Sequence, residues 1–345
     1  MDIKVVGIDL AKHYFQVCVL TDENKIHSNK KVTRARLLDV VRQFPEGTLI
    51  AMEACGSSNY WARTFAKMGF EIKLIPPQHV KPFVGHQKND ANDARAICES
   101  AFRPDVHGVP TKTIELQDIK SIRCIRQRRV EQRLAAANQL KGLASEYGVI
   151  IAKSFKCLRE QVPIALEDPD NELSVVMRRM LQDLLTEINT LTNEIKSLSL
   201  ELEALCKQQP RYQALLAIPG FGPIVTAAFL SQVGSGKQFS NGRQLSAWCG
   251  LVPRQFSSGG KTKLGKITKN GNNELRALLI HGARSVSKYT SERTDALSRW
   301  FNALALRSGK TKAIVALANK LTRIAWVIVT TMMNLKRIVH LKLHS

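Results

Sequence analysis

Four carboxylates in the first hundred residues stand where a chain built only to fold would avoid charge. Lys4-Val5-Val6-Gly7-Ile8-Asp9-Leu10 reads as a buried strand that ends on Asp9, and the run from Leu49 to Cys55 carries Glu53 in the same way. Within Asn89–Ile97, Asp90 and Asp93 are three residues apart, so one helix face presents both. That face continues through Ala94, Ile97, Ala101 and Phe102, which makes it the buried stripe. An unpaired buried carboxylate is costly, so such groups pair with cations or coordinate metals. Four converging on one cleft would suit divalent cations that take oxygen ligands. Taken singly, each acid could instead be a salt-bridge partner or a cap, and Asp90 in particular could cap its own helix.

A second chemical feature lies far along the chain. The segment Gly250–Lys261 leads into Lys263, Gly265, Lys266, Lys269, Gly271 and Arg276. Gly259 and Gly260 would leave Ser258 exposed on a flexible loop with cationic side chains on both sides. A hydroxyl placed there could attack a phosphodiester inside a field that steadies the developing charge. A Gly/Ser turn in a phosphate-binding patch, without chemistry, would look the same. Neither His nor Asp adjoins the serine in sequence to act as its base.

The elements that must position these groups fall into an α/β part followed by an α part. Residues 1–105 alternate, with strand signals at 3–10, 14–21, 25–33, 48–54 and 71–76 and helix signals at 34–44, 58–69, 78–85 and 90–102. Three strands joined by short turns and then βαβα give a mixed sheet in the RNase H-like order, an order that another α/β domain of this length would also produce. Sites in such sheets gather at the carboxyl ends of strands, where Asp9 and Glu53 fall. A long helix over 113–147 carries Arg123, Arg126 and Arg129 among its cations, as a face for phosphates or simply a solvated one. In 172–207, Leu181, Leu184, Ile188, Leu191, Ile195, Leu198, Leu202 and Leu205 form a strict heptad seam on a rod of roughly 50 Å. Its partner is either the 113–147 helix or another subunit. Beyond Pro210 a mostly helical basic domain follows, opening with a helix-hairpin-helix-like turn at Ala217–Pro223. The expected boundaries are 1–107, 108–210 and 211–345.

Composition narrows the partner. The chain has 345 residues, 44% hydrophobic, and a formal net charge of +22, of which about +18 lies beyond residue 210. A charge excess so concentrated marks a polyanion binder, with nucleic acid ahead of a membrane surface. Seven cysteines without CxxC spacing read as thiols in a reducing compartment, not as a disulfide frame or zinc site. No signal-peptide pattern opens the sequence, and Ala325–Met333 is too short an apolar run to span a bilayer, so a cytoplasmic protein is expected.

Taken together, Gly7–Lys12, Glu53, Lys88–Ala94, Pro219–Pro223 and Ser257–Lys261 resemble, in content and order, the DEDD transposases of the insertion-sequence-110 family, which include the Piv-type invertases. The resemblance covers nearly the whole chain. It implies a RuvC-like N-terminal domain, a coiled-coil linker and a C-terminal transposase domain acting on double-stranded DNA. It places a tetrad for Mg²⁺ or Mn²⁺ on Asp9, Glu53, Asp90 and Asp93. The nucleophile falls on Ser258, with a covalent phosphoserine–DNA link; Ser257 leaves a one-residue ambiguity. It also implies guidance by a noncoding bridge RNA. A homo-oligomer, dimer or tetramer, through the coiled coil is expected. Lys261, Lys263, Lys266, Lys269 and Arg276 join Arg123, Arg126 and Arg129 as expected nucleic-acid contacts. The competing readings are a metal-dependent, structure-selective nuclease with water as nucleophile and a non-catalytic nucleic-acid-binding protein whose acids are structural.

Overall fold

The apolar runs of the first hundred residues become β1 (Ile3–Leu10), β2 (Tyr14–Thr21), β3 (Ile26–Thr33), β4 (Leu49–Glu53) and β5 (Glu71–Ile75), within a residue of their expected bounds. The computed structural model describes residues 2–85, 89–104, 106 and 108–331. Among these the chain divides into two compact units, Met1–Ile114 with Val233–Ser240 and Glu115–Gln232 with Asn241–Ser345.

In the first unit the strands form one mixed sheet in the order β3-β2-β1-β4-β5. β1, β2 and β3 are antiparallel neighbours, while β4 and β5 run parallel to β1. Alternation sorts side chains to two faces. Val6, Ile8, Ile50 and Met52 pack with Leu37 and Val41 of α1 (Leu37–Val41) and with Trp61 and Phe65 of α2 (Ser58–Lys67). Beyond β5 a short helix, α3 (Pro77–Val80), precedes α4 (Asp90–Ala101). Val5, Cys18 and Ala51, on the opposite face of the sheet, pack with Ala94, Ile97 and Cys98 of α4. Gly7 lets α4 approach closely, because a Cβ there would lie 2.5 Å from Cys98 Sγ and 2.7 Å from Ala94 O. Lys88, part of the family-like motif, lies outside the described residues.

The second unit begins with the long helices. α5 (Ile114–Ser145) and α7 (Val175–Lys207) run antiparallel, with α6 (Phe155–Glu167) between them in sequence. The direction follows from the pairing: Arg126 meets Ser199, Arg129 meets Glu194, and Ala137 and Leu140 share a core with Leu181, Leu185 and Ile188. The heptad seam therefore has its partner within the chain. Leu181, Ile188, Leu191, Ile195 and Leu202 are buried as the repeat requires, but Leu185 and Cys206 are buried in place of Leu184 and Leu205. A straight helix of 3.6 residues per turn drifts against a repeat of 3.5, which moves the buried stripe sideways along the rod.

After Pro210 come α8 (Tyr212–Leu216), α9 (Pro223–Val233), α10 (Gly242–Trp248), α11 (Asn273–Ser287), α12 (Ala296–Ser308) and α13 (Lys310–Thr331). The turn before α9 seats Gly220, at φ 82°, directly on Gly282 of α11, and a Cβ on either would strike the other's backbone. Helix packing thus accounts for this glycine. The final apolar run, too short by itself to span a bilayer, belongs to a helix of 22 residues that is long enough by length and composition to cross one. Over half of its most apolar window is buried, against α10, α11 and α12, which is the situation of a core helix.

Between α10 and α11 the structure departs from the expected loop. β6 (Pro253–Ser258) and β7 (Lys261–Ile267) form an antiparallel hairpin closed by Gly259 and Gly260. Both glycines have positive φ, 54° and 75°, as the tightest two-residue hairpin turns require. The hairpin is exposed almost throughout, so no apolar alternation in the sequence announced its strands.

Candidate active site

The four acids approach one another at one edge of the first unit. Val6, Gly7 and Ile8 pair with Ile50, Ala51 and Met52, so one further step of the same register sets Asp9 level with Glu53. Asp9 and Glu53 share strand parity with Val5 and Ala51, whose side chains meet α4. That helix opens with Asp90 and Asp93 in its first turn. Its cap is Asn89, whose side-chain oxygen accepts from the Asn92 N–H at 2.8 Å, so Asp90 is not needed to cap the helix.

The electrostatics report the same convergence. Burial pushes the Asp9 pKa up to about 6, with the charges of Asp93, Asp90 and Glu53 adding to the effect and a hydrogen bond from the Leu10 N–H opposing it. One carboxylate feels all three others. Among the described residues, no three His, Cys, Asp or Glu side chains stand close enough to hold an ion as they are. The arrangement is a set of converging carboxylates, not a closed cage. Its donor chemistry fits a hard divalent cation, because oxygen ligands that repel one another are relieved by a doubly charged ion. Cys55 does not compete as a thiolate: burial, and then the charges of Glu53 and Asp9, raise its pKa.

Two polar residues that the sequence did not single out hold this edge together. Gln16, the cross-strand partner of Asp9, donates to Asn29 Oδ1 at 2.7 Å. Asn29 in turn donates to the Ala91 carbonyl at 2.9 Å, in the turn that bears Asp90 and Asp93. The signal was available, since Gln16 interrupts the otherwise apolar run of β2.

In the second unit Ser258 ends β6 opposite Lys261, at the tip of the hairpin. Cross-strand pairing puts Ser258, Lys261, Phe256 and Lys263 on one face and Ser257, Thr262, Gln255 and Leu264 on the other. Ser257 accepts from Gln255 Nε2 at 2.8 Å and lies 3.4 Å from the Thr262 hydroxyl. Ser258 makes no side-chain hydrogen bond among the described residues, and its face carries two lysines and a Phe256 that is 63% exposed. Lys266 and Lys269 continue the exposed cationic track.

The arginines expected to lie along phosphates do something else. Arg123 is buried and forms a two-pronged pair with Glu274 of α11. Arg126 donates to Ser199 at 2.7 Å and Arg129 pairs with Glu194 at 2.8 Å, both across to α7. Arg276 is buried and donates to the carbonyls of Cys249 and Asn270 and to Asn273. All four cations have partners within the second unit, Arg123 and Arg276 in buried positions and Arg126 and Arg129 in half-exposed ones. Lys120 and Arg128 are the exposed cations of that stretch.

Comparison with known proteins converges with this geometry. Residues 6–149 match a family described as Transposase, the DEDD type of IS110, and residues 212–298 match the family described as Transposase IS116/IS110/IS902 family. The chain is 42% identical over 329 residues to the transposase for insertion sequence element IS1111A of Coxiella burnetii, covering 95% of this chain and 90% of that one. It is 41% identical to a probable family 20 transposase of Pseudomonas aeruginosa, covering 96% and 98%. The transposase for insertion sequence element IS1328 of Yersinia enterocolitica is 33% identical, covering 95% and 97%. With carboxylates gathered at strand ends, a cation-flanked serine and relatives that match end to end, this chain belongs to the IS110/IS116/IS902 family of transposases, enzymes that cut and rejoin DNA.

Proposed function

We propose that this transposase exchanges DNA strands through Ser258, with Asp9, Glu53, Asp90 and Asp93 as its divalent-cation site in an RNase H-like, RuvC-like domain. Ser258 Oγ attacks a DNA phosphorus: the Oγ–P bond forms, the P–O bond to the sugar breaks, and the departing oxygen takes the electron pair and a proton. In rejoining, a DNA hydroxyl attacks the phosphoserine, and Ser258 regains its proton as the Oγ–P bond breaks. Lys261 and Lys263, on the serine's own face, meet the charge that develops on the phosphorane. A bound Mg²⁺ or Mn²⁺ supplies charge neutralisation and lowers the pKa of a coordinated hydroxyl.

The observation that carries this reading is the pair of serines. Ser257 is engaged on one face of the hairpin, whereas Ser258 is uncommitted on the cationic face. The test is to incubate purified protein with labelled DNA containing the element ends and to denature the mixture. Wild type and Ser257→Ala should give a covalent protein–DNA band and Ser258→Ala none. Free DNA ends with no such band from wild type would favour a water-using nuclease. A noncoding guide RNA, assembly as a dimer or tetramer, and a cytoplasmic location belong to the same reading, although the heptad seam itself is taken up by α5. Their support is the family likeness, and the guide would leave the protein to read mainly backbone and shape.

A further inference from the structure

Beside the hairpin, the second unit contains a groove of about 1410 Å³ bounded by the foot of β7 and by α10, α12 and α13. Its wall is largely apolar, including Leu251, Leu264, Ile267, Leu297, Trp300 and Ile324. The lining also brings Arg243, Lys266, Lys312, Lys320 and Arg323 together with a single acid, Asp295. That acid is already committed, since it caps α12 by accepting from the Ser298 N–H at 3.0 Å and the Ser298 hydroxyl at 2.7 Å. None of the five cations has a carboxylate partner among the described residues. Lys320 Nζ lies 4.7 Å from the centre of the Trp300 ring. Burial and then repulsion from Arg323 lower its pKa.

An apolar wall under crowded cations calls for a ligand that is polyanionic and also exposes flat apolar faces. Unpaired nucleic acid is that ligand, because a duplex keeps its bases inside the stack. The volume exceeds the roughly 300–1,000 Å³ of small-molecule pockets, which favours a polymer. Charge disfavours a second copy of this +22 chain, and also its own residues 332–345, which carry Lys and Arg but no acid. The wall residues Leu264–Ile267 belong to β7, whose Lys261 faces Ser258 only three residues further, roughly 10 Å along the strand.

We propose that this groove is a single-stranded DNA subsite, in which unpaired bases pack on the apolar wall beside Trp300 while Arg243, Lys312 and Arg323 neutralise phosphates, and that it delivers the strand toward Ser258. The destination rests on the Ser258 reading; the binding does not.

The test uses the full chain and fluorescence anisotropy with a labelled 12-nucleotide oligo(dT), a matched abasic strand, a duplex and oligo(U). Oligo(dT) should bind more tightly than the abasic strand by about 5- to 100-fold, and more tightly than duplex or RNA. Lys312→Gln with Arg323→Gln should weaken it about tenfold and flatten its salt dependence by roughly two phosphates. Trp300→Leu should abolish the preference over the abasic strand. If Trp300→Leu does not fold, photocrosslinking of wild type to bromodeoxyuridine-substituted oligo(dT) should label peptides of α12 or α13 instead. Equal affinity for the abasic strand, tighter binding of RNA or duplex, or crosslinks outside this groove would overturn the proposal. Ser258→Ala should bind oligo(dT) like wild type, so loss of the covalent band and loss of groove binding fail separately.

Discussion

Asp9 and Glu53 lie one step beyond the paired residues Ile8 and Met52 of neighbouring parallel strands, and both share strand parity with the residues that meet α4. The relationship is unfavourable for the bare protein. Asp9 would rather keep its proton, and its pKa stands at about 6. A group whose folded pKa is raised binds its proton more tightly in the folded state. Its contribution is therefore present at low pH and is lost as pH rises from about 4 to about 6.

Asp9→Asn should consequently stabilise the metal-free protein at pH 7.5 and leave it unchanged near pH 4. The gain should be about 1 kcal/mol once the partial exposure of the site is allowed for. Thermal unfolding across pH 4–8 reads it directly. Added Mg²⁺ should raise the Tm of wild type more than that of Asp9→Asn; equal responses would show that Asp9 does not see the ion.

The close approach at Gly7 makes a second prediction. Gly7→Ala forces α4 away from β1, and overpacking of this kind costs about 1–3 kcal/mol. Because the added methyl would meet both Cys98 Sγ and the Ala94 carbonyl, Cys98→Ala should recover only part of the loss. A double-mutant cycle on Tm, followed by transposition activity, separates the relieved side-chain clash from the backbone clash that remains. Full rescue would mean that the helix can settle without moving Asp93.

Arg123 and Lys263 should behave as opposites although both are cations in a basic chain. Arg123→Met leaves Glu274 without its partner and should cost about 1–3 kcal/mol, less than for a fully buried pair because the Glu274 side chain is 42% exposed. It should leave the salt dependence of DNA binding unchanged. Lys263→Gln should leave Tm unchanged and lower the salt slope by about one. Anisotropy titrations at several salt concentrations decide the assignment.

These contrasts also show where the sequence was legible. The placement of Asp9 and Glu53 near the ends of β1 and β4 could be read because a charge closing an apolar run breaks the pattern that burial imposes, and the shared first turn of Asp90 and Asp93 because a three-residue spacing fixes one helix face. The arginines of α5 were not separable, since Arg123 and Arg128 have the same chemistry and only the neighbouring helices decide which one is enclosed. Burial of Arg123 depends on Glu274, 151 residues away. The heptad seam gave the rod but not its partner, as Leu and Ile pack equally well on a copy or on α5. The hairpin escaped because strands exposed on both faces carry no alternation, yet its Gly259-Gly260 pair was a usable turn signal.

That pair supplies the last prediction. Gly259 and Gly260 hold positive φ in open space, with nothing within 4 Å of a Cβ built at either. A substitution there acts through backbone conformation alone, without a steric clash. Gly260→Ala should cost the turn about 1 kcal/mol, while Asn, which tolerates the left-handed region, should cost less. Since the hairpin is exposed and contributes little to either core, the global Tm should stay within about a degree. The covalent DNA band should nevertheless fall with Gly260→Ala and return with Gly260→Asn, because Ser258 and Lys261 share a face only while the tight turn holds their register. An unchanged band in Gly260→Ala would mean that the serine acts from a loop and that the hairpin does not position it.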